Sequence, residues 1–449
     1  MKKIYLIVML LMTGMMAEAQ TSVWNGSRRL WTSGEGTESN PYLIESAEQL
    51  AFLSYMVNKG LVTSDLNFKL TIDIDLNGSE DLPWVPIGLG DRWFSEDGCE
   101  RLIDPSYAPV YFCGHFDGDG HSIYNLYVDG GTYVGLFGLV SGQGSLIENL
   151  NIENGYVNGT YSGGIIGQCT GAVDILNCLN SAEIVGTEAA GGIVGQGGNV
   201  IRNCSNSGHI VSSSYAGGIA GSLAKEFYEC FNTGGIIVNG SAAGGILGRR
   251  GGGKLIIVNC YNRGDLSGNA TPGIGGIAGI ANGNATDIHN CYNVGSITND
   301  SGNAGGLFGY DNVSNINNVY YLNTCGGWGP GEDKTAEEMR DPAFVDLLNL
   351  NTDVWGFDEN NINDGYPILT GTLMSTEETV ANTMSVYPNP AKSSFTVEGK
   401  GLLTITNVLG QTILEKPMEE MLVVTLPEGI YILRLTDGNS SAKQKVVVY

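Results

Sequence analysis

Residues that could act as catalysts or metal ligands are few in this chain. Hydrolysis of a glycosidic bond needs two carboxyl groups about 5 to 10 Å apart, yet Asp174, Glu229 and Asp265 are scattered without a common register. Zinc needs side chains that converge on one point. His209 and His289 fall at positions that vary between repeats, and we expect both on the surface. The histidines are His115, His121, His209 and His289. We predict no catalytic, cofactor-binding or metal-binding residues.

Two short motifs suggest ion binding. "FDGDG" places Asp117 and Asp119 two residues apart, as at the start of a calcium loop. The glutamate that would complete such a loop at position twelve is missing, so a turn between strands is the favoured interpretation. Arg249 and Arg250 precede three glycines. They form either a solvated loop tip, which we favour, or a site for an anionic glycan.

"NCYNRGDLSG" contains Arg263-Gly264-Asp265, the tripeptide by which many secreted proteins bind integrins. Gly264 recurs at the same place in neighbouring repeats, whereas the residues at the positions of Arg263 and Asp265 vary. The tripeptide is therefore interpreted as a structural glycine between two variable positions, and integrin binding is disfavoured.

The chain has nine cysteines, an odd number that leaves at least one unpaired. Five recur once per repeat, at a position that Leu126, Leu150 and Val319 occupy in the outer repeats. Because that position is apolar, we expect buried thiols that act as small hydrophobic side chains. Cys99 and Cys113 could form a local disulfide, and this alternative stays open. The repeated cysteines are Cys178, Cys204, Cys230, Cys260 and Cys291.

A seven-fold internal repeat must position these residues. Motifs such as "GGIVG" end at Gly138, Gly167, Gly195, Gly221, Gly248, Gly279 and Gly309, which are 26 to 31 residues apart. Each repeat has three short apolar segments separated by Gly and Asn, and none has room for a helix. Such units must stack to bury their apolar faces. The pattern predicts a parallel β-helix with Asn ladders at its bends. A β-sandwich does not explain one fixed column per repeat.

The open ends of a solenoid are sheet edges that need covers. "SAEQLAFLSYMV" has Ser46 and Gln49 in capping-box spacing, and "TAEEMRDPAFVDLLNL" has Thr335 and Glu338 in the same spacing. Asp341-Pro342 is expected to restart the second helix. Both segments are predicted to be helical caps.

The segments "GTESNPYLIESAEQLAFLS", "WVPIG", "GHFDGDGHSIYNL" and "YVGLFG" resemble those of bacterial surface proteins with GLUG repeats. Similar segments occur in the non-catalytic region of IgA-specific metallopeptidases. The resemblance covers roughly residues 23–369 and implies a right-handed β-helix on an extracellular protein. It implies no reaction, because the His-Glu-x-x-His of the peptidase domain is absent here.

The C-terminal segment is different. Residues 372–383 are a polar linker, and the alternation that follows predicts a small antiparallel, Ig-like sandwich. Its "YPNP", "NVLGQ" and "GIYILRL" blocks resemble the type IX secretion sorting domain of Bacteroidetes. The resemblance implies that residues 384–449 engage the type IX machinery, with the motif formed by Tyr387, Pro388, Asn389 and Pro390.

The N-terminus reads as a signal peptide over residues 1–19. Lys2 and Lys3 precede an apolar run, and cleavage is expected between Ala19 and Gln20. No apolar run is long enough to suggest a membrane span. The net charge of -25 makes nucleic acid an improbable partner. We expect a protein that is secreted or on the outer cell surface.

The sequence thus predicts an all-β, secreted β-helix, residues 20–371, with short helical caps. We expect a binding, adhesion or structural role, with a glycan or a host surface protein as the possible ligand. The alternative is a carbohydrate-active enzyme, which should show a carboxylate pair, or a carboxylate with Arg or Lys, converging on one face of the turns.

Overall fold

The computed structural model describes residues 21–90, 93–94, 102–103, 109–281, 283, 285–310, 313, 315–370, 385–387, 391–407, 412–418, 421–436 and 441–448. The predicted signal peptide with Ala19 and Gln20, the predicted linker at 372–383, Cys99 and residues 388–390 lie outside this range. The chain divides into two compact units, Met1–Met339 and Arg340–Tyr449.

The first unit is a parallel β-solenoid of about nine turns, as the repeat predicts. Its 34 strands form one continuous sheet in which each strand pairs with the strand one turn later. Ile175 pairs with Ile201, which pairs with the next core residue, Phe227. Because the register joins equivalent repeat positions, each apolar column of the sequence becomes one ladder through the core.

The most regular turns have five short strands, rather than the three that the sequence predicts, because Gly and Asn corners divide the apolar segments. The first strand position comprises Val194–Gln196, Ala220–Ser222, Leu247–Arg249, Ala278–Ile280 and Phe308–Tyr310. The second comprises Val200–Arg202, Glu226–Tyr228, Leu255–Val258 and Thr286–Asn293, the last continuing into the third position. The third comprises Ser205–Asn206, Phe231–Asn232 and Tyr261–Asn262. The fourth comprises Ile210–Ser212, Ile236–Val238, Leu266–Gly268 and Ile297–Asn299. The fifth comprises Tyr215–Gly217, Ala242–Gly244, Gly273–Gly275 and Asn303–Gly305.

The earlier turns contain longer strands that bend through the corners. These are Ser122–Asp129, Phe137–Glu148, Asn151–Gly163, Ile166–Leu176 and Glu183–Gly191. Shorter strands of this part are Ser22–Val23, Tyr42–Ile44, Asn67–Leu70, Ile74–Asp75, His115–Asp117, Tyr133–Val134 and Leu179–Asn180. Trp93–Phe94 pairs antiparallel with Leu102–Ile103. Ile316–Leu322 and Glu332–Lys334 end the solenoid sheet.

Helix α1, Ala47–Asn58, is present where the first cap is expected, with Ser46 as its N-cap. Its buried residues, among them Leu50 and Leu53, join the core of the solenoid. The predicted capping box is wrong at this helix. The Ser46 hydroxyl accepts a hydrogen bond from Arg29, and Gln49 accepts one from the backbone N–H of Glu45.

The second predicted cap is two short helices, α2 at Ala336–Met339 and α3 at Pro342–Leu348. Here the capping box forms: the Thr335 N–H donates to the Glu338 carboxylate, and the Glu338 N–H donates to the Thr335 hydroxyl. Asp341 caps α3, with proline at the first helical position. The boundary between the two compact units falls between α2 and α3. Within the described residues, no helix is both long and apolar enough to span a bilayer.

The second unit contains two small antiparallel sheets with a common core, as expected for a sandwich. The core includes Phe395, Leu403, Ile405, Leu433 and Val446. The three-stranded sheet consists of Ser385–Tyr387, Ser394–Glu398 and Met421–Thr425. The four-stranded sheet consists of Gly401–Asn407, Thr412–Met418, Gly429–Thr436 and Ser441–Val448. Trp355–Gly356 and Ile368–Leu369 form a separate antiparallel pair.

Candidate functional site

A ladder of asparagines forms one bend of the solenoid, between the second and third strand positions. All its members have φ between 51° and 55°. This is the left-handed region, which Asn tolerates better than most residues. Their side-chain amides also join adjacent turns: Asn177 donates to Asn149 at 2.8 Å, and Asn203 donates to Asn177 at 3.0 Å. We call this the bend ladder, comprising Asn149, Asn177, Asn203, Asn259, Asn290 and Asn318.

Glu229 interrupts the bend ladder, with the same positive φ of 56°. An ionised carboxylate cannot donate a hydrogen bond. The Asn203 Oδ1 atom is consequently buried with no donor among the described residues. The Glu229 carboxylate instead accepts from the Arg202 guanidinium, 3.2 Å from each oxygen. The Glu229 side chain therefore binds a surface arginine and does not continue the ladder.

A second asparagine ladder lies two residues after each cysteine, inside the solenoid. Asn206 donates to Asn232 at 2.8 Å, and Asn232 donates to Asn262 at 2.8 Å. Each amide also donates to the carbonyl two residues later, as Asn232 does to Gly234. We call this the inner ladder, comprising Asn180, Asn206, Asn232, Asn262 and Asn293, all at most 2% exposed.

The inner ladder explains the second glycine of each "GG" pair. A Cβ on Gly218 would lie 2.0 Å from the carbonyl oxygen of Gly245 and 2.5 Å from Asn232. A Cβ on Gly245 would lie 2.3 Å from Cγ of Asn262. The repeat therefore has glycine here because an asparagine amide fills the space that a side chain would need.

The cysteine column lies between the two ladders. All five thiols are free and fully buried, and burial raises the pKa of Cys204 and Cys260, with hydrogen bonds between neighbouring thiols adding to the effect. Cys204 and Cys260 are therefore protonated core side chains. The possible Cys99–Cys113 disulfide involves a residue outside the described range.

The second strand position carries polar side chains on its outer surface. In successive turns, Glu226 pairs through Ile256 with Asp287, and Tyr228 pairs through Val258 with His289. Each step between turns is one strand spacing, about 4.8 Å, so Glu226 and Asp287 are two spacings apart. We call this surface the polar strip, comprising Arg202, Glu226, Tyr228, Glu229, Lys254, Asp287 and His289.

Arg202 is at the centre of the first half of the polar strip. Its guanidinium lies 4.3 Å from the centre of the Tyr228 ring, a cation–π distance. The Tyr228 hydroxyl donates to Glu226 at 2.9 Å. Partial burial, followed by that hydrogen bond, raises the pKa of Tyr228. Arg202 and Tyr228 therefore present a fixed, flat pair between two carboxylates.

Asp287 organises the second half of the polar strip. Its carboxylate contacts Lys254 at 3.3 Å and is hydrogen-bonded to His289 and Asn315. Burial opposes ionisation, but the Lys254 hydrogen bond and the His289 charge hold the pKa of Asp287 below its usual range. Ile256 and Val258 lie between the two halves, half-buried. The strip thus alternates polar turns with an apolar one.

This arrangement suits binding better than proton transfer. Glycoside hydrolysis requires a carboxylic acid with a raised pKa, whereas Asp287 is held ionised and Glu229 is paired with Arg202. Sugar hydroxyls are both donors and acceptors. A surface with arginine, lysine, carboxylates and a tyrosine offers both kinds of partner within a few ångströms.

The other motifs singled out in the sequence are engaged in structural contacts. Lys69 lies 3.4 Å from Asp117 and 2.8 Å from Asp119, so a cation already sits between the "FDGDG" carboxylates. Asp117 also accepts from the Asp119 N–H, as in a turn. His115 pairs with Glu148 at 2.7 Å. No group of three or more His, Cys, Asp or Glu side chains in the described part of the chain is arranged to hold a metal ion.

Arg263-Gly264-Asp265 is built into the turn of the solenoid. A Cβ on Gly264 would lie 2.0 Å from the Gly234 carbonyl oxygen. The Asp265 carboxylate accepts from the backbone N–H and the hydroxyl of Ser296, at 2.9 and 2.6 Å. The glycine is structural, as predicted, and the aspartate is bound to the next turn.

The polar strip and the inner ladder were not predicted from the sequence. The inner ladder had a readable signal, because "NCxN" or "ECxN" recurs in five repeats. The strip had none, because its members come from four turns at positions that differ in residue type. They become neighbours only through the strand register.

The fold is a parallel β-solenoid followed by small antiparallel sheets. Residues 385–449 match the family of secretion system C-terminal sorting domains. This chain therefore carries a type IX secretion sorting domain, which indicates a secreted protein exported toward the cell surface.

The solenoid is similar to the crystal structure of a candidate immunoglobulin A1 protease from Bacteroides ovatus. The TM-score is 0.52 and the identity 25%, over 76% of this chain and 95% of that chain. Halomucin from Haloquadratum walsbyi is 29% identical over 165 residues, or 36% of this chain. A candidate Gly-rich membrane protein from Evansella cellulosilytica is 31% identical over 155 residues, or 33% of this chain. The matched regions span only 2% and 15% of these two curated relatives.

Proposed function

We propose that this protein is a glycan-binding β-helix at the outer cell surface and that the polar strip is its binding surface. The observation that carries the proposal is the Arg202–Tyr228 pair, stacked at 4.3 Å and flanked by Glu226 and Glu229. Aromatic and guanidinium planes support sugar rings, and the flanking carboxylates accept hydrogen bonds from hydroxyls.

The periodicity of the solenoid favours an extended ligand. Outward-facing positions of the second strand recur at each turn, about 4.8 Å apart, which is comparable to the length of one sugar ring. A linear polysaccharide lying along the axis would therefore place successive sugars against successive turns. Ile256 and Val258 provide an apolar surface midway along this path.

The test is a glycan array with the chain from Gln20 onward. We expect binding to a defined subset of glycans, and Arg202→Ala and Tyr228→Ala should each weaken it roughly tenfold. Arg263→Ala is the matched control, since it removes an arginine from a different corner of the same turns. Loss of host-cell attachment through Arg263→Ala alone would instead support the integrin hypothesis. Absence of binding to any glycan would leave a structural role.

A carbohydrate-active enzyme is the second candidate, because carboxylates and Arg202 do converge on one face. The paired state of Glu229 and Asp287 weighs against it. Incubation with the polysaccharides bound on the array, followed by chromatography of the products, separates the two. Shortening of the polysaccharide by the unmodified protein, and loss of that shortening in Glu226→Gln, would establish that the protein is an enzyme.

A further inference from the structure

The corner that leads into the polar strip carries most of the positive charge in the middle of the solenoid. The whole chain has 22 Lys and Arg against 47 Asp and Glu. Residues 199–264 reverse that balance, with six Lys and Arg and only Glu226 and Glu229 as acids. Four of the six lie at one corner, between the first and second strand positions. We call it the basic corner, comprising Lys225, Arg249, Arg250 and Lys254.

The register brings these residues together from two successive turns. The backbone N–H of Ile256 donates to the carbonyl of Lys225 at 2.9 Å, which places Lys225 beside the turn that begins with Lys254. Ser222, three residues before Lys225, pairs with Arg249. The equivalent corner positions in the flanking turns are Asn199 and Ala285, which are uncharged. The positive charge is therefore confined to two turns.

The two arginines of the basic corner contact uncharged groups. Arg249 lies over the Tyr215 ring, 5.0 Å from its centre, and donates to the Tyr215 hydroxyl at 3.3 Å. Arg250 donates to the carbonyls of Gly251 and Gly253. The Tyr215 contacts orient the Arg249 guanidinium without neutralising its charge. Lys225 and Arg249 are both exposed.

The surroundings of the corner leave room for a ligand. A Cβ added to Gly252 or Gly253 would meet no atom within 4 Å. Lys254, which contacts Asp287 at 3.3 Å, connects the corner directly to the polar strip. A chain that lies along the strip therefore passes beside the corner.

We propose that the basic corner binds the carboxylate or sulfate groups of an anionic polysaccharide whose sugar rings lie along the polar strip. This inference rests on the proposed glycan-binding function and specifies the charge of its ligand. A guanidinium fork can donate to two oxygens of one carboxylate or of one tetrahedral oxyanion. Because the protein as a whole is strongly acidic, the basic corner is a local surface at which a polyanion is attracted and not repelled.

The experiment compares dextran sulfate with dextran, which have the same backbone, on the chain from Gln20 onward by surface plasmon resonance. A second pair, polygalacturonate and its methyl ester, tests carboxylate in place of sulfate. We expect binding to at least one of the polyanions, weakening as salt rises, and little to its neutral partner. The double variant Lys225→Glu, Arg249→Glu should weaken polyanion binding at least roughly tenfold.

The control is Arg263→Glu, which reverses a charge in the same turns but away from the corner. Thermal unfolding of each variant verifies the fold. Equal binding of charged and neutral polymers, or an equal loss in the control, would overturn the inference. If the array yields neutral glycans that still bind the double variant, the proposed function stands and the inference fails. If neither polyanion nor any array glycan binds, both fail.

Discussion

The bend ladder and the inner ladder use the same residue type three positions apart in each repeat, yet they differ in backbone, burial and bond direction. Bend asparagines have positive φ and donate to the preceding turn, as Asn203 does to Asn177 and Asn290 does to Asn259. Inner asparagines lie in strands and donate to the following turn, as Asn206 does to Asn232. The inner amides are completely enclosed, whereas Asn203 is only partly buried.

The contrast between the two ladders indicates which property of asparagine each position requires. The bend needs a residue that accepts a left-handed backbone, so Glu229 is tolerated there and its side chain can serve the surface. The inner position needs two donors and an acceptor in a fixed place, with glycine opposite. No substitution interrupts it from Asn180 to Asn293. The bend position can therefore take a side chain that serves the surface. The inner ladder keeps adjacent turns in register.

The same substitution in both ladders should give the largest contrast. Asn232→Gly removes hydrogen bonds to Gly234, Asn206 and Asn262 and leaves buried polar atoms without partners. We expect it to lower the free energy of unfolding by about 4 kcal/mol. Asn203→Gly keeps the backbone conformation and should cost about 1 kcal/mol. Urea denaturation measures both, and equal losses would refute the distinction between the ladders.

The glycines opposite the inner ladder should tolerate no side chain. Gly218→Ala places a Cβ 2.0 Å from a backbone oxygen, and we expect a loss of about 3 kcal/mol in unfolding free energy. Gly252→Ala is the matched control, since its Cβ meets open space and its effect should stay within about 0.5 kcal/mol. Similar thermal shifts for the two variants would contradict the packing argument.

The thiols between the ladders should make stability depend on alkaline pH. Burial raises the pKa of Cys204 and Cys260, so the folded state keeps protons that unfolded thiols lose above about pH 8.5. Stability should be unaffected by these thiols below that pH. Above it, each such thiol should cost about 1.4 kcal/mol per pH unit.

Urea titrations at several pH values above 8.5 would reveal this slope. Cys204→Ala removes one titrating group, so the slope should become shallower by the contribution of a single thiol. An unchanged slope in that variant would show that other groups cause the alkaline loss.

Repairing the bend ladder should have the smallest effect, and a positive one. Glu229→Asn supplies a donor for the buried Asn203 Oδ1 atom and a residue better suited to positive φ. It loses an ion pair with Arg202, whose side chain is 40% exposed, and such pairs contribute little. We expect a gain of about 1 kcal/mol in unfolding free energy. A loss of unfolding free energy would mean that the ion pair between Arg202 and Glu229 stabilises this bend.

Much of the fold was predictable from the sequence because the same pattern of residues recurs in successive repeats. The spacing of the "GGIxG" motifs predicted stacked turns, and Ile175, Ile201 and Ile257 predicted a core column that the structure contains. The bend asparagines were found because they adjoin the cysteines. Five strands per turn were not predicted, since strands of two or three residues leave too little periodicity to detect.

The candidate site was not predictable in the same way. Arg202, Glu229 and Asp287 occupy different repeat positions and share no motif. Asp174 and Asp265, which the sequence analysis considered with Glu229, are bound elsewhere: Asp174 accepts from Asn199, and Asp265 accepts from Ser296. The scattered positions of these carboxylates in the sequence therefore gave no indication of the residues that surround Glu229.

The sequence alone set the spacing of the repeats, the residues that face the core and the places where the backbone bends. These depend on apolar periodicity and on the local preferences of Gly and Asn. Tertiary structure decided which asparagines bond to each other and which charges form the polar strip and the basic corner. The reason is that residues 26 to 31 positions apart in the chain are brought to about one strand spacing, 4.8 Å, only when the turns stack in register.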